Sequence, residues 1–127
     1  MTTAVVGVGG WTPPASTLSE ALTAPERAVV LRNGVYTDLS GVLLDRHGRP
    51  ARTALNERII GITAAQLRAV PNVIGIAYGH DKVGPAFAAL TGGYVNSLVT
   101  NVSFAQALLE YEPVSYTHLT LPTNREV

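Results

Sequence analysis

The stretch NVIGIAYGHDKVGPAFAAL, Asn72 to Leu90, constrains this chain more than any other. Val73–Tyr78 predicts a short buried strand, Gly79–Lys82 a loop and Val83–Leu90 a helix. A strand that empties into a helix N-terminus creates an anion site, because the first backbone N–H groups have no intrahelical partner and the macrodipole adds partial positive charge. Gly79 permits close backbone approach, and Lys82 brings a full charge to the same place. Open α/β sheets bind ligands beyond the carboxyl ends of their strands, so a phosphate or carboxylate is the ligand to look for. A lysine in such a loop is also an ordinary solvated charge, and the residues alone leave both readings open.

Composition narrows the function classes. With 127 residues there is room for one domain with a modest core. Nine basic residues balance nine acidic ones, so no basic stripe is available to grip nucleic acid. The absence of cysteine excludes disulfides, thiol catalysis and Cys-type zinc sites. His47, His80 and His118 are too far apart for a familiar metal-ligand spacing, and neither a metal nor a cofactor is expected. No apolar run reaches the length of a membrane span, and the start lacks the features of a signal peptide, which makes a cytoplasmic location the default.

Along the chain, Ala4–Val8 predicts a buried strand meeting a tight turn at Gly9-Gly10. The third glycine of a dinucleotide fingerprint would fall on Thr12, so that motif fails. Thr12, Ser16 and Thr17 are nearby hydroxyl donors, although Thr17 and Glu20 also have capping-box spacing. A second box, Thr23 with Glu26, opens a helix carrying Ala28, Val29 and Leu31 and closing at Gly34. Val35–Leu44 reads as extended, broken at Gly41, with a hairpin turn at Asp45-Arg46-His47-Gly48. Asp38 inside that segment either faces solvent on an edge strand or holds a ligand hydroxyl. Arg58 precedes the apolar segment Ile59–Ile62, Thr63 and Gln66 cap a short helix ending before Pro71, and Val95–Thr100 is a last strand. Asn101 is the expected N-cap for a helix over Val102–Tyr111. Two consecutive strand–helix units with short links imply an α/β fold with a parallel sheet flanked by helices.

Pro113–Val127 breaks the pattern. It resembles translated sequencing-adapter read-through or a disordered terminus, so the expected organisation is a folded unit over 1–112 and a non-native or disordered tail over 113–127.

With these pieces in place, the chain resembles the sugar-binding domain of SorC/DeoR-type bacterial transcriptional regulators. The residues that carry the resemblance are VVGVGGW (Val5–Trp11), VYTDLSGVLLDRHGRP (Val35–Pro50), RIIGI (Arg58–Ile62), QLRAVPNVIGIAYGHDK (Gln66–Lys82), AFAAL (Ala86–Leu90) and LVTN (Leu98–Asn101). It implies the C-terminal part of a NagB/RpiA/CoA-transferase-like domain that binds a phosphorylated sugar or related carbohydrate effector. It further implies a homo-oligomeric full-length regulator that meets DNA through an N-terminal helix-turn-helix. Lys82 matches the lysine of the family's A-G-G-x-x-K segment, where effector phosphate is expected, with Gly79 beside it. Asp38 matches the acidic residue expected near sugar hydroxyls. The Gly9–Thr17 turn, with Gly10, Ser16 and Thr17, matches a loop of the same cleft, and Arg58 is a further candidate. Two departures stand out: Tyr78 replaces the first glycine of A-G-G, narrowing the phosphate approach, and Asn101 replaces the aspartate of T-D-E. The family's helix-turn-helix and the first half of its sugar-binding domain have no counterpart in the sequence, so the chain reads as a fragment whose Met1 opens a truncated frame, and such a fragment would expose apolar surface.

The competing reading is a sugar-phosphate isomerase or deaminase. That chemistry needs a positioned acid–base pair, and the spacing of Asp38, Glu57, His80 and Asp81 does not supply one. The expectation is therefore a binding module with no catalytic residues.

Overall fold

The computed structural model describes residues 1–11, 14–15 and 20–112. Ser16, Thr17, the Thr17–Glu20 capping box and the tail from Pro113 lie outside the described residues. The elements in chain order are β1 (Thr3–Trp11), β2 (Pro14–Ala15), α1 (Ala24–Arg32), β3 (Thr37–Leu39), β4 (Val42–Leu44), α2 (Ala64–Arg68), β5 (Asn72–Ile76), α3 (Val83–Thr91), β6 (Ser97–Val99) and α4 (Val102–Glu110). Single 3-10 turns occupy Ala54–Arg58 and His80–Lys82.

The strands form one sheet in the order β4-β3-β1-β5-β6, with β2 paired to the end of β1. The α/β class expected from the sequence is what forms, but the sheet is mixed. β1, β5 and β6 are parallel, while β3 and β4 run antiparallel to β1 and to each other. The reason is local. The break at Gly41 is a two-residue hairpin turn, with Ser40 at φ 51° and Gly41 at φ 100°, and this pair of positive φ values suits the strand twist. The turn at 45–48 also forms, with Gly48 at φ 78° and Leu44 bridged to Pro50, so the segment folds back twice.

Helix starts follow the capping chemistry. Thr23 with Glu26 and Thr63 with Gln66 form reciprocal capping boxes, and the Asn101 side chain accepts from the Phe104 N–H. Strand alternation then sorts the apolar side chains onto two faces. Val6, Val8, Leu39, Val42 and Leu44 meet α2, α3 and α4 through Leu67, Ala86 and Phe104. Trp11 and Leu43 face the other way, into a smaller cluster with Val30 of α1 and Leu55. In α1, Val30 is the buried residue, whereas Val29 and Leu31 remain largely exposed. That second face is covered only toward β4. Near β5 and β6 it leaves Val5 (61%), Ile76 (37%) and Val99 (49%) exposed.

Two contacts with the α3 backbone lock the segment from β3 to Gly48 against that helix. A Cβ on Gly48 would lie 2.7 Å from Gly92 Cα and closer still to the Ala88 carbonyl oxygen. At the other end of the helix, buried Thr37 donates its hydroxyl to the Pro85 carbonyl at 3.1 Å.

Candidate functional site at the carboxyl edge of the sheet

Register brings separated sequence motifs together. Gly9 and Gly10 form no tight turn: β1 runs on through them to Trp11, and Gly9 pairs directly with Asp38 of β3, so the glycine and the acidic residue are neighbours on one sheet row. Gly7 pairs in parallel with Ile76, and extending that register by two residues brings Tyr78 to the level of Gly9. The 3-10 turn His80–Lys82 packs beside β1 and leads into α3. Gly9, Gly10, Asp38, Tyr78, Gly79 and Lys82 therefore converge on the carboxyl ends of the parallel strands, where α/β sheets hold ligands.

Asp38 is not a solvent-facing edge residue. It is 6% exposed, because β3 lies between β1 and β4, and its Oδ1 accepts the Gly41 N–H at 2.7 Å. Part of this carboxylate is thus committed to the hairpin turn, which fixes its orientation. Gly79 has φ 94°, and Asp81 folds back over it, with Oδ1 2.8 Å from where a Gly79 Cβ would be. Lys82 is partly buried, and no ion pair holds it among the described residues.

The helix start supplies fewer donors than the sequence suggested. Lys82 N–H bonds the Gly79 carbonyl, Val83 N–H bonds the His80 carbonyl, and Pro85 in the first turn has no N–H. That loss falls at the helix end where anion binding uses free amides, which leaves Lys82 as the main positive group there. Gly84 in the same turn packs under the hydroxyls of Tyr36 and Tyr111, which lie 3.3 Å apart. Burial, reinforced by that contact, pushes the Tyr36 hydroxyl up to about 12.

Arg58 lies at the end of the first 3-10 turn, exposed and paired with Glu26 at 3.4 Å. Its side chain ties that turn to α1. The Glu26 carboxyl is held below its usual range first by the Thr23 backbone N–H and then by the Thr23 hydroxyl, with Arg58 adding a smaller effect.

Two buried polar atoms have no hydrogen-bond partner among the described residues, Trp11 Nε1 and Thr100 Oγ1. They sit at the carboxyl ends of β1 and β6, flanking the same edge. Sequence reasoning could place both residues at strand ends, but no sequence signal marks a polar atom as enclosed and unpaired. A cavity of about 710 Å³ opens elsewhere, between the segment after β4 and α2; Leu43, Thr53, Ile59 and Arg68 line it, and none of the expected site residues does.

The carboxyl edge of an α/β sheet is where such folds hold small molecules, and here it carries two strand glycines, a buried carboxylate and a lysine. The sequence model described as "Sugar-bind: Putative sugar-binding domain" matches residues 1–110, and the chain belongs to this family. Among the similar proteins, the transcriptional regulator LsrR of Enterobacter sp. (strain 638) is 31% identical over 110 residues, covering 84% of this chain and 34% of the relative. LsrR of Klebsiella pneumoniae subsp. pneumoniae is 33% identical over 85 residues, or 66% of this chain and 26% of that protein. The solved full-length sorbitol operon regulator SorC from Klebsiella pneumoniae aligns with TM-score 0.78 and 30% identity, over 86% of this chain and 36% of its own. The chain thus spans about a third of the length of these regulators.

Proposed function

We propose that residues 1–112 form the effector-binding part of a transcriptional regulator, and that the effector is a phosphorylated sugar or related carbohydrate. Lys82 takes the phosphate, and Asp38 accepts sugar hydroxyls. Gly9, Gly10 and Gly79 let the ligand approach the backbone, and Ser16 and Thr17 complete the cleft as hydroxyl donors. The observation that carries this reading is the register, which sets Gly9 against Asp38 while the Lys82 turn packs beside β1. Arg58 is the weakest member of the set, because its side chain already has Glu26 as a partner.

Binding without catalysis is the reading favoured by the carboxylates. Asp38 serves the Gly41 N–H, Asp45 takes the His47 and Arg49 N–H groups, and Glu26 serves Thr23 and Arg58. Acid–base chemistry needs a second group poised against the substrate, and the exposed loop pair His80–Asp81 supplies no such arrangement. DNA contact belongs to a helix-turn-helix of the full-length regulator, in a homo-oligomer in the cytoplasm. No described helix is long and apolar enough to cross a membrane. Residues 113–127 carry no part of the function.

The test is a thermal-shift screen of the chain against sugar phosphates, each paired with its unphosphorylated form. A ligand that binds only the folded state raises the midpoint by mass action. A shift confined to phosphorylated members is expected, and Lys82→Ala should weaken those by about tenfold or more, as loss of a charge-assisted contact does. Equal losses for a phosphorylated ligand and its free sugar would remove Lys82 from the phosphate position.

A further inference from the structure

We infer that the cavity between the segment after β4 and α2 is a second ligand site, which takes a small organic monocarboxylate with an apolar body and seats it through Arg68 and Arg52. It shares no residue with the site at the carboxyl edge of the sheet, so the inference stands apart from the effector reading above.

Contacts within the chain hold the walls of this cavity. The Ala51 N–H bonds the Leu43 carbonyl at 2.9 Å, which fixes the outgoing segment against β4. Reciprocal caps of Thr53 with Asn56 and of Thr63 with Gln66 fix the 3-10 turn and the start of α2. Arg68 is held from two sides. Its guanidinium lies over the Tyr94 ring, 4.3 Å from the centroid, and its Nη2 donates to the Gly92 carbonyl at 2.7 Å. A guanidinium fixed in this way is oriented before a ligand arrives, so little side-chain freedom is lost on binding. The volume, about 710 Å³, is that of a small-molecule site.

The lining has an apolar part and a charged part. Leu43 and Ile59 belong to or pack against the smaller apolar cluster, and Val42, Ile62 and Tyr94 the larger one, so the cavity opens where the two clusters meet. Those side chains suit an apolar body. The charged lining residues are Arg52, Arg68 and Glu57, and neither arginine has an ion pair among the described residues. The balance is a single net positive charge, the complement of a monoanion. A phosphate dianion would leave an uncompensated negative charge beside Glu57. A carboxylate also matches the planar fork of a guanidinium. Arg68 keeps donors for it, because the Gly92 carbonyl takes only one of its N–H groups.

The experiment is calorimetric titration of the 127-residue chain with 2-naphthoate and with 2-naphthamide, which share an apolar body and differ in charge. The carboxylate should bind about tenfold more tightly than the amide. Arg52→Gln and Arg68→Gln should each weaken the carboxylate by about tenfold and leave the amide within about twofold. Arg68→Gln also removes the bond to Gly92, so Arg52→Gln decides alone if that variant unfolds. Saturating glucose 6-phosphate and the Val5→Thr substitution should both leave naphthoate binding unchanged. Equal affinity for the two probes, no binding of naphthoate by the folded chain, or full binding in Arg52→Gln overturns the proposal. Displacement by the sugar phosphate overturns it by putting the probe at Lys82, and loss in Val5→Thr by putting it on the bare face of the sheet.

Discussion

At Gly48 two separate physical costs fall on one position. Its φ of 78° strains any L side chain, and a Cβ there would collide with the backbone of Ala88 and Gly92. The obstacle is main chain, so it cannot rotate aside as a flexible side chain would. Gly48→Ala is therefore expected to cost roughly 3 kcal/mol, combining left-handed strain with overpacking. Chemical denaturation of the two proteins measures it; a loss below about 0.5 kcal/mol, the range of ordinary surface substitutions, would refute the contact. The sequence showed Gly48 as a turn glycine, and the structure adds the helix end it must fit against. Asp38 makes a similar point. Its residue type was legible as unusual for a strand, but its burial depends on β3 pairing with β1, a contact between distant parts of the chain that local pattern does not encode.

Elements with local signals were the readable ones. Thr23, Thr63 and Asn101 announced their helices through side chains that bond backbone three residues away, an interaction contained within a single turn. The hairpin at Ser40-Gly41 was harder to read, because a non-glycine residue takes the first left-handed position. The first turn of α3 held a further surprise: its position is set by Tyr36 from before β3 and by Tyr111 from after α4, neither adjacent in sequence. This clamp has a pH signature. The Tyr36 proton is held more tightly in the folded protein, with the group shifted from 10.0 to about 12. Its stabilising contribution is therefore complete below pH 10 and is lost as pH rises through about 12. Thermal midpoints should fall across that window, and Tyr36→Phe should flatten the fall. An identical alkaline profile in the two proteins would show that the hydroxyl contact does not hold α3.

Across the whole molecule, the coverage of the sheet is lopsided. The face toward α2, α3 and α4 is filled, while the opposite face is covered near β4 and bare near β5 and β6. Val5, Ile76 and Val99 project from neighbouring strands, so their exposed surfaces form one patch rather than scattered apolar residues. In isolation the chain should self-associate through it, and combined Val5→Thr, Ile76→Thr and Val99→Thr substitutions should shift sedimentation toward the monomer. A sharp monomer peak from the unmodified chain would show that the patch is harmless. The glycine contact between the hairpin and α3 also limits how the gene can change. Both surfaces are main chain, so no substitution at either position makes room for a side chain at the other, and the usual route of paired compensation is closed. The two codons are thereby coupled to the shape of the backbone itself, and a descendant sequence can release them only by rebuilding the turn.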